Sequence, residues 1–274
     1  MNQPTGHPNP DRAGAQQAPP EGSTTASGPA HAGASPWPAR VLSHAGFEVR
    51  NLLRNGEQLL LTLILPAIAL VVLARTDLIR LDTAGAEPIQ VATPGVLALA
   101  IMSSAFTSNA IATGFDRRAG ALRLLATTPL GRSGLLGGKV LGVFAVEIVQ
   151  IVLLGALALG LGWRPDVAGL PLAVLAVLLG TAAFTALALL IAGTLRAEAV
   201  LAGANLLWLL LVAGGGVIFP TWGPLHYLPS AGLGDALRAA LIQGWSASAA
   251  LPLLVLALWT VVLGAATTRW FRWQ

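Results

Sequence analysis

An all-α, polytopic membrane fold with six transmembrane helices is what this sequence predicts, and three observations carry the prediction. Of 274 residues, 55% are hydrophobic and only 10% are charged, against about 25% charged in a soluble domain. The apolar residues fall in continuous runs of roughly twenty, the length a helix needs to cross about 30 Å of hydrocarbon. They do not alternate, which excludes a transmembrane β-barrel. The basic residues gather in some of the connections and avoid the others, as they do in helical membrane proteins. Mean hydropathy is +0.72. Such a chain has too little polar surface to cover a water-soluble core, so a soluble enzyme or a nucleic-acid module is excluded. There is no cysteine, hence no disulfide, thiolate metal site or cysteine nucleophile. The net charge of +4 is a topology signal and calls for no nucleic-acid partner.

Taken in order, residues 1–39 are polar and rich in Pro, Gly, Ala and Ser. They cannot bury enough apolar surface to offset ordering entropy and are expected to be a disordered cytoplasmic tail. Without an apolar core segment, they are not a signal peptide. The rest of the chain, 40–274, is the transmembrane domain. In residues 40–56, Val41, Leu42, Ala45, Val49, Leu52 and Leu53 recur at helical spacing, with Arg40, His44, Arg50 and Arg54 around them. That pattern predicts an amphipathic helix in the headgroup layer.

Six spans follow, at about residues 58–74, 94–114, 140–161, 170–193, 199–219 and 248–267. The first is short, with Arg75 placed to snorkel. With six spans both termini share one side. That side holds 12 Lys/Arg and the other 4, which puts both termini in the cytoplasm. Trp163, Trp222 and Trp245 then mark the outer boundary, and Trp270 and Trp273 the inner one. Residues 220–247 carry Leu233, Leu237, Ala240 and Leu241 at helical spacing. They predict a re-entrant outer helix before the last span, buried against protein, in which Asp235 and Arg238 lie close enough to pair.

Several chemistries are absent. A phosphate-binding loop needs Gly-x-x-x-x-Gly-Lys-Ser/Thr. The nearest stretch puts Ser133 where the first glycine belongs and Val140 where the hydroxyl belongs, so energy from nucleotide must come through another chain. His7, His31, His44 and His226 lie far apart, and no pair has metal-ligand spacing. Ser103, Ser104 and Ser108 have no His or Lys at comparable depth to act as a base.

The cytoplasmic loop 115–139 is basic yet partly apolar. Asp116 is expected to cap a helix start. Leu122, Leu125 and Pro129 form a compact apolar knob rimmed by Arg117, Arg118 and Arg123. Pro129 ends the helix, and Ser133 caps the next one. A short helix with an apolar tip suits a groove in a partner protein. Gly134, Gly138 and Gly142 lie four apart, a spacing that lets helices approach closely.

Asp116, Arg117, Arg118, Gly120, Leu122, Leu125, Thr128, Pro129, Leu130, Arg132, Gly138 and Lys139 form a pattern that resembles the ATPase-coupling loop of ABC-2-type permeases. These are the integral membrane subunits of bacterial ABC exporters. The acidic residue common before the family's glycine is Ala119 here, with Asp116 three residues earlier. The six-span layout, the amphipathic lead-in and the re-entrant helix match the same family over roughly residues 40–270. The resemblance implies a transport subunit of the bacterial plasma membrane that is not itself an enzyme and binds no cofactor. ATP and Mg²⁺ would sit on separate cytoplasmic ATPase subunits. It also implies a second permease copy, the same or different, beside this one in the bilayer, with Leu122, Leu125, Pro129 and Leu130 as the ATPase contact.

Polar groups within the spans are the candidates for a translocation path: Ser104, Ser108 and Asn109 in the second span, Glu147 and Gln150 in the third, and Asn205 in the fifth. Glu147 is the costliest to bury and hence the most informative. Two alternatives remain open: a haem-exporter-type permease of cytochrome assembly, and an ion-coupled secondary transporter that uses Glu147 as its relay.

Overall fold

The computed structural model describes residues 36–54, 56–75, 87–121, 131–218 and 223–271. Among them every regular element is a helix. They are α1 (Trp37–Arg54), α2 (Gly56–Arg75), α3 (Pro88–Met102), a π-helical turn (Ser103–Ser108), α4 (Asn109–Arg118), α5 (Gly131–Gly160), α6 (Leu170–Thr194), α7 (Ala197–Gly214), α8 (Pro229–Gln243) and α9 (Ala250–Trp270). Single 3₁₀ turns at Val167–Gly169, Gly223–Tyr227 and Ala247–Ala249 lead into α6, α8 and α9.

Five stretches are long and apolar enough to cross a membrane: Pro88–Arg118, Gly137–Gly160, Val167–Thr194, Ala197–Gly214 and Ala247–Trp270. Thr62–Arg75, within α2, is a shorter apolar helix. The span expected at 94–114 is longer than its apolar core. It begins at Pro88, where the proline occupies the first turn behind the extended Glu87, and continues through the π turn to Arg118. The amphipathic helix starts at Trp37, so residues 37–39 belong to its first turn and not to the tail. The tail proper, residues 1–35, lies outside the described residues.

The sequence dictates where the helices stop. Gly162 (φ +99°) ends α5 and Gly244 (φ +70°) ends α8, each in a conformation that only glycine adopts without strain. Pro171 and Pro229 sit in the first turns of α6 and α8, where their missing N–H costs nothing.

The Pro88–Arg118 segment is the most deeply buried of the five stretches, and α6 is the hub. Helix α6 packs on α9, α8, α4, the π turn and α5. Helix α9 is joined to it by two side-chain bonds to main chain: Thr267 Oγ1 donates to Ala186 O at 2.7 Å and Thr260 Oγ1 to Leu179 O at 3.0 Å. Each such interhelical bond contributes on average about 0.6 kcal/mol within a bilayer. By contrast α7 and α9 keep long apolar faces open, with Leu206, Leu209 and Leu210 on one and Leu254, Leu258 and Val261 on the other.

Helix α8 is a buried plug between α3, α6 and α9 at the end of the bundle where α3 and α6 start. Its packing is backbone-close. A Cβ added at Gly169 would overlap the Ala240 carbonyl, and Asp166 N donates to Leu241 O at 2.9 Å. Helix α1 lies along the start of α5, with Val41, His44 and Ala45 buried and Leu42 and Phe47 exposed. Part of its apolar face is therefore spent on protein instead of lipid. Gly138 makes this possible, since a side chain there would strike the His44 ring; one member of the four-residue glycine spacing thus serves the close approach expected of it.

Gly169→Ala should destabilise the protein by about 1–3 kcal/mol, the usual cost of overpacking, seen as a lower melting temperature in detergent. Gly155→Ala, mid-helix and where a Cβ meets open space, should instead hold or slightly raise the melting temperature, since alanine favours the helix by about 0.5–1 kcal/mol.

Candidate functional site

The π turn Ser103–Ser108 sets the geometry of the site. Its wider turn shifts the register of α4 relative to α3, and such turns recur where a helix presents functional groups. Here it brings Ser103, Thr107 and Ser108 to a groove of about 450 Å³ whose other walls are α2 and α7. Helix α2 supplies Thr62, Leu65, Pro66 and Ala69; α7 supplies Asn205 and Trp208; Leu99 lies on α3. Trp208 Nε1 donates to Ser103 Oγ at 2.9 Å, and Ser103 Oγ donates to Leu99 O at 2.7 Å. The indole is thereby fixed across the groove wall.

Behind the groove sits a buried polar layer. Ser104 Oγ donates to Gln150 Oε1 at 2.7 Å, and Gln150 Nε2 donates to Thr62 O at 3.3 Å. Gln150 on α5 therefore ties together two of the groove's walls, the π turn and α2. One turn away on α5, Glu147 is fully buried and its Oε2 is hydrogen-bonded to the Thr181 hydroxyl, which also reaches Val177 O at 2.8 Å. Thr113 Oγ1 donates to Asn109 Oδ1 at 3.3 Å.

Of the six path candidates, the structure brings Ser108 and Asn205 to the groove. It places Ser104, Asn109, Glu147 and Gln150 inside the bundle, where the first and last brace the groove and Glu147 joins α5 to α6. Trp208 and Thr62 were not evident from sequence. The available signal was spacing: Trp208 lies three residues after Asn205, on the same face of a helix.

The second candidate region is the end of the bundle where α4 finishes and α5 and α7 begin. Arg117 donates from its guanidinium to Leu195 O, and Arg118 pairs with Glu198 at 2.6 Å. Both partners belong to the connection into α7 and its first turn. Lys139, almost wholly buried, lies 3.7 Å from Asp116. Asp116 thus sits inside the last turns of α4 and does not cap a helix start; the helix runs on past it, because residues 109–118 contain no proline and Gly114 is packed within the helix against Val200. It ends at Gly120 (φ +78°). Helix α5 begins at Gly131, so Ser133 lies within it and is not its cap. Leu122, Arg123, Leu125, Thr128, Pro129 and Leu130 lie outside the described residues, as does the side chain of Arg132.

At the opposite end Asp235 and Arg238 do pair, at 2.7 Å. Arg238 also donates to the carbonyls of Gly216, Val217 and Ile218 at 2.7, 3.0 and 3.3 Å. Those carbonyls belong to the irregular segment after α7, so one guanidinium satisfies main-chain acceptors that no helical bond reaches. Asp235 Oδ2 lies 3.2 Å from His226 Nδ1. No group of three or more His, Cys, Asp or Glu that could hold a metal occurs among the described residues.

Because the chain has no cysteine, single cysteines report access cleanly. Asn205→Cys, on the groove, should react with a membrane-permeant maleimide in native membranes, whereas Thr181→Cys should react only after denaturation. Gln150→Leu removes both braces and should cost about 1–2 kcal/mol, read as a lower melting temperature.

A family model described as ABC-2 family transporter protein matches residues 84–269, more than half of the chain. No curated protein and no solved structure matches.

Proposed function

The chain belongs to the ABC-2 family of transporter proteins, and from that premise we propose that it is the permease subunit of an ATP-driven exporter, with the groove between α2, the π turn and α7 as its half of the translocation path. The family places it as a membrane component of an ABC transporter that associates with ABC ATPases and is not itself the catalytic chain. The lack of a phosphate-binding loop accords with ATP being hydrolysed elsewhere.

The observation that carries the proposal is the pair of links from α4 to the start of α7. Residues 115–139 are the segment an ATPase would grip. Arg117 and Arg118, at its near end, hold Leu195 and Glu198, and α7 forms one wall of the groove. Lys139, at its far end, faces Asp116, and α1 rests on α5 beside Gly138. A push on this loop would move α4, the start of α5 and the start of α7 together, and so shift one groove wall against α2. The apolar faces left open on α7 offer a surface for a second permease copy, which would close the groove into a passage between subunits.

In this account α2 completes six spans, both termini face the cytoplasm of a bacterial cell as the Lys/Arg distribution indicates, α8 plugs the outer end, and cargo leaves outward. The ion-coupled alternative gains nothing from the geometry, since Glu147 lies between α5 and α6 and away from the groove.

Leu125→Arg should leave membrane insertion intact while abolishing co-purification with the ATPase and ATP-dependent transport in vesicles. Undiminished co-purification would sink the docking role of the loop. Transport that needs an ion gradient and no ATP would sink the exporter assignment.

A further inference from the structure

The chemistry of the groove walls goes further and bears on what the groove can hold. No charged side chain lines it among the described residues. The arginines along its helices are remote. Arg117 is nine residues beyond Ser108, and Arg196 nine before Asn205, about 13 Å of helix in each case. Arg75 is six residues beyond Ala69, about 9 Å. Glu147, the acid at comparable depth, is fully buried, bonded to Thr181 on α6, and does not line the groove. An ion entering this groove would shed water and meet no opposite charge, which is the costliest exchange a membrane interior offers.

The walls are not uniformly apolar, however. Thr107, Ser108 and Asn205 contribute two hydroxyls and a primary amide, groups that both donate and accept. The Thr107 oxygen is itself buried and has no hydrogen-bond partner, so a ligand reaches it only by turning that side chain. Leu65, Pro66 and Ala69 face them from α2. Trp208 has its one polar atom committed to Ser103, so what it offers the groove is aromatic surface. A tryptophan locked in this way favours a planar, apolar portion of a ligand. The volume falls within the range of about 300–1,000 Å³ usual for drug-sized ligands.

We propose that the groove takes an uncharged, ring-bearing amphiphile, with its planar part on Trp208 and its carbonyl or hydroxyl groups toward Thr107, Ser108 and Asn205. The proposal rests on the groove being the path and adds the class of cargo. A cation is the serious competitor, because an indole face attracts positive charge. With no carboxylate in the walls among the described residues, that attraction stands alone against the loss of hydration.

The test uses the full chain in phosphatidylcholine nanodiscs, with lipid-only nanodiscs as the blank. The probes are three fluorescent ring systems: Nile red (uncharged), rhodamine 6G (cationic) and anilinonaphthalene sulfonate (anionic). Nile red should bind saturably. Trp208→Ala should weaken it about tenfold, equivalent to about 1.4 kcal/mol, and Trp208→Phe should restore most of the loss. The two charged probes should bind at least about tenfold more weakly than Nile red, by the same conversion. Equal or tighter binding of a charged probe overturns the cargo class, as does the absence of saturable Nile red binding. A plug, Ala69→Trp, separates the two levels of failure. If Nile red binding survives both the plug and Trp208→Ala, the groove is not the site and the path assignment falls with it. If the plug abolishes binding while Trp208→Ala does not, the groove stands and the aromatic contact is wrong.

Discussion

Within a bilayer no water is available to a stranded hydrogen-bonding group, so a polar side chain in a span gains by finding a partner in the protein, though the Thr107 and Thr185 hydroxyls have none. In this protein that constraint selects which helices touch. Gln150 reaches Ser104 and a carbonyl of α2 at once. Thr267 and Thr260 spend their hydroxyls on carbonyls of α6. Glu147 is housed against Thr181. These bonds are individually small, but each is an alternative to an unsatisfied group in hydrocarbon, which is why they fall at helix crossings.

Charge is used differently. The ionic and guanidinium contacts gather at the two ends of the bundle and leave the middle free of ion pairs among the described residues. At one end Arg238 collects the carbonyls beyond α7 and fixes the α8 plug to that helix. At the other end Arg117 and Arg118 fix α4 to the start of the same helix. Helix α7 is thus gripped at both ends while much of its length is exposed. In the proposed mechanism a helix held in this way would pass on displacement without needing many contacts along its side. The exposed Arg118–Glu198 pair adds little to stability, and its value lies in where it attaches.

A good part of this was legible in the sequence. The apolar runs, the amphipathic α1, the buried α8 and the Asp235–Arg238 pair all follow from local pattern, since spacing along one helix fixes which residues share a face. Asp116 and Ser133 were misread for the same reason in reverse. Capping residue types are common inside helices too, and only the hydrogen-bond path of the backbone distinguishes the two. The π turn left no local signature, because its widening depends on the helices packed around it.

Composition and periodicity alone determined that this chain is a helical membrane protein, roughly where its helices lie, and that it carries no nucleotide loop. They also nominated the polar residues that had to be explained. Tertiary structure decided how those residues divide: Ser108 and Asn205 border the groove with Trp208, while Ser104, Glu147 and Gln150 turn inward as links between helices and Asn109 turns inward to Thr113 on its own helix. Sequence could not make that division. Helical period says which side chains point the same way, but whether that direction meets a neighbouring helix or an opening depends on the crossing of elements up to a hundred residues apart, such as Ser103 and Trp208.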